Sequence, residues 1–433
     1  MKRIISFLSI IVSIAPSHAA EAARPLRLDE ARQFALATHP RISAEQLRAL
    51  ATRQTVIQAR SAYFPNITGN VTAVGTGEDN ARIAAGSLSN PGIFQRNAEG
   101  IVISQLVTDF GRTANLTSSA KLRAGAGEAS VENVKEQILL LTDTAFFEAL
   151  RAGAVLEVAH QTLQARQDLL DQVTALASNK LKSELDLNFA RVSVDEARIL
   201  NLQADGEQSA AFARLAMLTG LDGNTRFDLQ DVNAPIETLP DESELTREAL
   251  LRRPELHQLD LEAQSARKLI KAEKASGYPT ISILGAAGVI PFHDSHFADE
   301  YGVAGINMSV PIFAGGLYSA RAKEARYRAE AAEQLLKARQ EEVARDVRVA
   351  ALVVKTAGER IAVARHLMDH ANQAYSLAET KYSLGGASIV ELSQAQLSRT
   401  LAAIEAATAR YNYQIQLSNL KFQAGLLGPQ SLK

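Results

Sequence analysis

Few side chains in this sequence have types and spacing that could do chemistry. His293-Asp294-Ser295-His296, followed by Asp299 and Glu300, gathers imidazoles and carboxylates in one short stretch. Such a set could hold a divalent metal. It also makes an ordinary solvated surface loop, and that reading is preferred. His366 and His370 stand one turn apart on an expected helix with no third ligand in sequence, which suits solvated or interhelical histidines better than a metal site. Asp186 and Glu391 each follow an expected helix–helix turn by a few residues, where an acid complements the helix dipole. Cysteine is absent, which excludes disulfides, thiolate metal sites, cysteine nucleophiles and a lipid-modified N-terminal cysteine. The P-loop, His-Glu-x-x-His, Gly-x-Ser-x-Gly and Gly-x-Gly-x-x-Gly patterns do not occur. Asn66-Ile67-Thr68 and Asn70-Val71-Thr72 match glycosylation sequons but fall in an expected strand. The expectation is a protein that is not an enzyme, with no cofactor and no metal site.

The elements that would carry these residues are unusual. The 433 residues have a formal net charge of −2, so nothing suggests a nucleic-acid partner. Lys2 and Arg3, an apolar core at residues 4–14 and Pro16-Ser17-His18-Ala19-Ala20 form a secretory signal over residues 1–20. No later stretch approaches the eighteen or so apolar residues of a transmembrane helix. If the exported chain enters a membrane, it does so as β-strands.

Residues 21–221 read as a first repeat. A helix opens at Leu28, breaks at His39-Pro40, resumes, and stops at Tyr63-Phe64-Pro65-Asn66. Strands are expected at about 66–75 and 100–109, separated by a Gly/Ser/Asn-rich loop. A long helix without proline follows at about 112–179, spanning about 100 Å at 1.5 Å per residue, then a second helix at about 183–219. Such lengths call for a rod or tube. Residues 222–241 read as a polar linker. Residues 242–433 then repeat the order, with strands at about 281–290 and 302–312 and helices at about 317–384 and 389–423. Pro40 and Pro254 are separated by the same offset as Pro65 and Pro279 (254 − 40 = 214; 279 − 65 = 214). The chain is a tandem duplication.

Each repeat changes period at a strand-to-helix junction. In the second, Asn307-Met308-Ser309-Val310-Pro311-Ile312-Phe313-Ala314-Gly315-Gly316 alternates as a strand before Phe313 and becomes helical after Gly316. Pro311 is expected at the strand's end, where a missing N–H is tolerated, and Gly315 and Gly316 allow the turn. Gly111 marks the first junction, where Val107 stands opposite Pro311.

Four strands cannot close a barrel, and an open sheet in lipid leaves unpaired edges. Two chains supply eight strands, whose interior side chains fill; three supply twelve, wide enough for a lumen. A conduit therefore favours three chains. Ala-rich helix surfaces such as Ala402-Ala403-Ile404-Glu405-Ala406-Ala407 permit close packing against two neighbours.

These features together resemble the TolC-like outer membrane efflux proteins, over nearly the whole mature chain. The resemblance rests on Pro40 and Pro254, the aromatic-Pro pair before each first strand and Val310-Pro311-Ile312-Phe313-Ala314-Gly315-Gly316. It also rests on Gly385-Gly386-Ala387-Ser388-Ile389-Val390-Glu391-Leu392 with Arg410-Tyr411-Asn412-Tyr413 behind it. It implies a mainly α fold with a small β part: tandem long helical hairpins forming a periplasmic α-barrel, and four strands per chain entering a 12-stranded trimeric outer-membrane β-barrel. It implies a homotrimer in outer-membrane lipid that docks to a periplasmic adaptor (membrane fusion) protein and to an inner-membrane transporter of RND or ABC type. Asp186 and Glu391 fall on the family's acidic gate positions. Gln394 stands where the family often has a second acid. A threefold ring of such acids would attract cations; the dipole reading of the same two acids stays open. Gly385, Ser388, Ile389 and Val390 match the adaptor-contact turn of the second repeat. Lys180 and Ser183 stand in the first, which has no glycine. Small-molecule efflux is the expected task, with type I protein secretion and a non-conducting periplasmic coiled-coil scaffold as the alternatives.

Overall fold

The computed structural model describes residues 25–75, 81–82, 92–93, 96–221, 228–231, 236–237, 240–293 and 298–428. The signal at 1–20, His296, and most of the loop at 76–97 and of the linker at 222–241 lie outside them. The first half runs β1 (Pro25–Leu26), α1 (Leu28–Thr38), α2 (Pro40–Ser61), β2 (Asn66–Val74), β3 (Ala81–Arg82), β4 (Gly92–Ile93) and β5 (Arg96–Thr108), then α3 (Arg112–Ser178) and α4 (Glu184–Thr219). The second runs β6 (Asp228–Leu229), α5 (Glu242–Arg252), α6 (Pro254–Ala275), β7 (Thr280–His293), β8 (Glu300–Ser309), α7 (Leu317–Ser383) and α8 (Ile389–Gln423). The fold is mainly α with a small β part.

Proline punctuates both copies. Pro40 and Pro254 each take the first position of a new helix, where a missing N–H costs nothing. His39 caps α2 by accepting from the Arg41 N–H on Nδ1 at 3.2 Å. Arg253, in the matching place, makes no side-chain cap; its guanidinium reaches Gln423 Oε1 at 3.1 Å and lies over the Phe422 ring. The long helices α3 and α7 have 67 residues each, and both their starts and their ends share one offset (317 − 112 = 205; 383 − 178 = 205).

The chain divides into two units. One comprises His39–Leu140, Glu237–Glu359 and the chain from Gln416 onward. It holds the antiparallel sheet, in the order β2-β5-β7-β8. Among the described residues β2 and β8 have one neighbour each, so both are open edges. Helices approach closely here through small residues: the Ser119 and Ser265 hydroxyls of α3 and α6 lie 2.8 Å apart.

The other unit comprises the residues up to Thr38, Leu141–Ile236 and Arg360–Ile415. One core gathers Ala31, Phe146, Phe147, Ala211, Leu215 and Leu218 from α1, α3 and α4. The two phenylalanine rings meet edge to face at 5.8 Å. Beside them Asp143, fully buried, accepts from Arg32 Nε and Nη2, both at 2.7 Å.

Several expectations are corrected. The strand expected at 302–312 ends at Ser309, because its partner β7 begins at Thr280, opposite Ser309. Pro311 therefore lies beyond the strand, where it has no ladder bond to lose. By the offset of the long helices Pro311 matches Leu106, not Val107 (311 − 205 = 106). β5 starts at Arg96 and β7 runs through Pro291 to His293, both longer than expected. The linker carries β6, which pairs in parallel with β1, Leu26 opposite Leu229. Strands of two residues carry no periodic signal. β3 and β4 form a further short antiparallel pair inside the first hairpin loop.

Candidate functional site

The sheet register sorts side chains onto two faces. One row sets Ile67, Ile103, Gly285 and Ala304 side by side; the next sets Gly69, Ile101, Ala287 and Gly302. Ile281, Ile283, Ile306 and Met308 share that face. Ile67, Ile101, Ile306 and Met308 are exposed, so this is an apolar face that the protomer does not cover. The opposite face mixes small and polar residues: Thr68, Val102, Ala286 and Val303 in one row, Asn70, Gly100, Gly288 and Tyr301 in another. There the Tyr301 ring lies across two glycines. A Cβ on Gly288 would come within 2.7 Å of Tyr301 Cε1, and one on Gly100 would strike the phenol oxygen.

Both strand-to-helix junctions use two successive left-handed residues, Phe110-Gly111 (φ 53° and 97°) and Gly315-Gly316 (φ 58° and 83°). Phenylalanine in that region costs about 1–2 kcal/mol. Asp109 offsets it by accepting from the Gly111 N–H at 3.2 Å, the Thr113 N–H at 2.7 Å and the Thr113 hydroxyl at 2.5 Å. Sequence reasoning missed Asp109. Its signal was an acid just before a helix start, the ordinary N-cap pattern.

The two hairpin turns share one core, made of Val173 from α3, Ala190 from α4, Tyr382 from α7, and Ile389 and Leu392 from α8. The turns close alike. Lys180 (φ 61°) donates its N–H to Ala177 O, and Leu181 to Leu176 O; Gly385 (φ 77°) donates to Tyr382 O, and Gly386 to Lys381 O. Lysine thus occupies the left-handed position that glycine fills in the other copy.

The two candidate gate acids differ. Asp186 is engaged in a reciprocal capping box: its N–H donates to Ser183 Oγ at 3.1 Å, and its Oδ2 accepts from the Ser183 N–H at 3.1 Å and the Ser183 hydroxyl at 2.8 Å. The Glu391 N–H donates to Ser388 Oγ at 3.2 Å, but its carboxylate is exposed and bonded to nothing among the described residues. Gln394 is exposed one turn later. Tyr382, 6% exposed, has a buried hydroxyl without a hydrogen-bond partner. Burial, and then the nearby Asp186 charge, raise its pKa. Lys182 Nζ sits 3.9 Å from its ring centre.

Of the expected adaptor-contact residues, Gly385, Ser388, Val390, Lys180 and Ser183 are exposed, whereas Ile389 is buried in the core. Adjacent residues on a helix point about 100° apart, so only one of Ile389 and Val390 can face outward. Leu181, which stands at the first turn, is also exposed, as are Leu185 and Leu384.

The remaining motifs hold structure together. Arg410 and Tyr411 grip the Asp231 carboxylate, the phenol donating at 3.1 Å, while Asn412 Oδ1 accepts from Arg151 at 2.9 Å and Tyr413 is buried. His293 Nε2 lies 2.9 Å from Asp299 Oδ1. No cluster of three metal-binding side chains occurs among the described residues. No helix there is long and apolar enough to cross a membrane.

The family model described as outer membrane efflux protein matches residues 31–221 and 245–426. Outer membrane protein TolC of Escherichia coli (strain K12) is 24% identical over 440 residues, covering 98% of this chain and 87% of its own. Among solved structures, the Campylobacter jejuni CmeC outer membrane channel superposes with a TM-score of 0.81 at 17% identity, covering 93% of this chain and 86% of that one. The outer membrane protein VceC from Vibrio cholerae gives 0.79 at 17% identity, with 92% and 96% covered.

Proposed function

The chain belongs to the outer membrane efflux protein family, and on that premise we propose that it is the exit duct of a tripartite pump. It is an outer-membrane efflux channel with a large periplasmic helical part. In our reading three copies close the barrel, a periplasmic adaptor meets the hairpin turns, and an inner-membrane transporter of RND or ABC type supplies the energy. Transport through the duct is passive and its cargo is small molecules. The observation that carries this reading is the four-stranded sheet, with both edges open and one uncovered apolar face. Edges and face are satisfied together only when copies of the sheet join edge to edge in lipid. The alignment with outer membrane protein TolC of E. coli runs over 98% of this chain and so takes in both repeats, which supports the same reading.

At the turns we assign the charge-selective role to Glu391, whose carboxylate is free, and a capping role to Asp186, whose carboxylate is spent. Three copies of Glu391 would form a ring that concentrates cations. Glu391→Gln should raise single-channel conductance or weaken divalent-cation block in planar bilayers, and Asp186→Asn should act mainly by loosening the turn. Equal effects of both substitutions on block would remove the distinction.

The whole reading is tested by deleting the chain and measuring drug sensitivity and secreted proteins side by side. Sensitisation to small toxic compounds with an intact secretome is expected. Loss of secreted proteins alone would favour type I secretion. A water-soluble protein without heat-modifiable gel migration or bilayer conductance would favour the periplasmic scaffold.

A further inference from the structure

We propose that the open depression lined by Arg60, Tyr63, Phe64, Thr117, Ser118 and Lys121 binds the phosphate of an anionic glycerophospholipid in the leaflet facing the periplasm. The inference rests on the reading of the sheet as part of a membrane barrel. The depression measures about 480 Å³. It lies at one defined end of the sheet. Tyr63 and Phe64 immediately precede β2, and α3, which carries Thr117 and Lys121, begins just after β5 ends. Because β2 and β5 are antiparallel, both features sit at the same end. That end is where apolar strand gives way to charged helix, the level of the lipid headgroups. The headgroup layer is roughly 5–8 Å thick on each side.

The chemistry suits a phosphate with acyl chains attached. Arg60 and Lys121 are exposed and have no carboxylate partner among the described residues, whereas Arg53 on the same helix pairs with Glu128 at 2.7 Å. No acid occurs at all in residues 46–77 or 110–127, which carry six basic residues between them. Thr117 is 7% exposed, and its hydroxyl has no hydrogen-bond partner although it lines the depression. Its neighbour Ser118 spends its own hydroxyl on Ala114 O at 2.8 Å. A buried hydroxyl donor that lines the same depression as two cations without carboxylate partners among the described residues fits an anionic oxygen. Tyr63 and Phe64 are exposed rings that would lie against the glycerol and upper acyl region, as aromatics do at membrane interfaces. The second repeat carries a matching trio. Lys274 and Tyr278 correspond to Arg60 and Phe64 by the offset of the prolines (274 − 60 = 214; 278 − 64 = 214), and Arg326 corresponds to Lys121 by the offset of the long helices (326 − 121 = 205). There, however, Arg326 is paired with Glu330 at 2.8 Å, and Ala322 stands in the place of Thr117. The first-repeat site is the one equipped to bind.

The chain has no tryptophan, so Phe64→Trp places a single tryptophan at the depression, whose emission is excited apart from that of the tyrosines. The full-length Phe64→Trp protein is reconstituted in vesicles of phosphatidylcholine and phosphatidylglycerol mixed two to one. Bromine is placed on the phosphatidylglycerol chains in one set and on an equal amount of phosphatidylcholine in the other. Quenching should be at least about threefold stronger with brominated phosphatidylglycerol, since each basic residue at an anionic surface is worth about fivefold in binding. Arg60→Gln with Lys121→Gln should abolish the preference, and Lys121→Arg should keep it, in proteins that retain heat-modifiable migration. Equal quenching by the two lipids, or a preference that survives the double substitution, would overturn the proposal while leaving the barrel intact. No quenching by either lipid would overturn the barrel reading and the lipid site with it. Inorganic phosphate at matched ionic strength should leave the preference unchanged. Displacement by phosphate would assign the site to a free anion and overturn the lipid assignment.

Discussion

Glu136 makes a quantitative prediction. It lies on α3, is 6% exposed, and has its pKa pushed up to about 7, chiefly by burial, with Glu132 adding to the rise and Arg253 opposing it. Unfolded, the same carboxyl titrates near 4.5. Between those values the folded chain holds a proton that the unfolded chain has released. Stability therefore falls as pH rises from about 4.5 to about 7 and is flat above. At about 1.36 kcal/mol per pH unit the charged group costs about 3 kcal/mol at pH 8. Glu136→Gln removes that cost and keeps the shape. Arg253 loses one attraction but retains Gln423 Oε1 at 3.1 Å and Glu255 at 3.3 Å. The net gain should therefore be about 2–3 kcal/mol. For a chain of this size that is a rise in thermal midpoint of roughly 2–3 °C at pH 8, shrinking toward zero near pH 5. The assay is the thermal midpoint of the detergent-solubilised protein by circular dichroism, at pH 5, 6, 7 and 8. Parallel curves for the two proteins, or a lower midpoint for Glu136→Gln at pH 8, would refute the assignment of an uncompensated buried carboxylate.

Three further outcomes follow from the same geometry. Asp143→Asn breaks a bidentate pair at a fully buried position and leaves Arg32 only the exposed Asp29 at 3.5 Å, so it should cost about 3–5 kcal/mol in thermal or urea unfolding, with part recovered by Arg32→Met in the same chain. Gly288→Ala drives a methyl into Glu99 O and to 2.7 Å from Gly100 Cα, and should abolish heat-modifiable barrel assembly, whereas Gly69→Ala, with nothing within 4 Å, should not. Ser183→Ala should cost about 1–2 kcal/mol at the first turn, because it removes the two bonds made by the hydroxyl, from the Asp186 N–H and to Asp186 Oδ2, and leaves only the backbone N–H of residue 183 on that carboxylate; Ser388→Ala, which loses one bond, should cost less than about 1 kcal/mol at the second. Amide hydrogen exchange of residues 184–187 and 389–392 reads the difference.

What the sequence made legible was whatever backbone chemistry punctuates. Pro40, Pro254, Gly111 and Gly316 set helix limits that the structure meets within about a residue, because a missing N–H or a left-handed turn leaves few choices. The alternation that separates Ile67, Gly69 and Val71 from Thr68, Asn70 and Thr72 foretold the two faces of β2. What stayed hidden depends on partners. β1 and β6 pair two residues each, too few for a period. Lys180 occupies a left-handed turn that no glycine announces. Ile389 and Val390 look alike in sequence, and only the core around Val173 and Leu392 turns one of them inward. The Asp186 carboxylate could be assigned only once Ser183 was seen to accept and donate on both sides. The change of offset between the copies, from 214 before the strands to 205 after them, has a physical reason of the same kind. The extra length of the first copy (214 − 205 = 9) lies between the start of β2 and the start of α3, in the hairpin and its junction, and none of it falls in α3, which matches α7 at 67 residues. The far ends of the two long helices share one core through Val173 and Tyr382. Nine extra residues in one of these helices alone would make it about 13 Å longer than the other, while a hairpin loop absorbs them at a closure cost that grows only logarithmically with length.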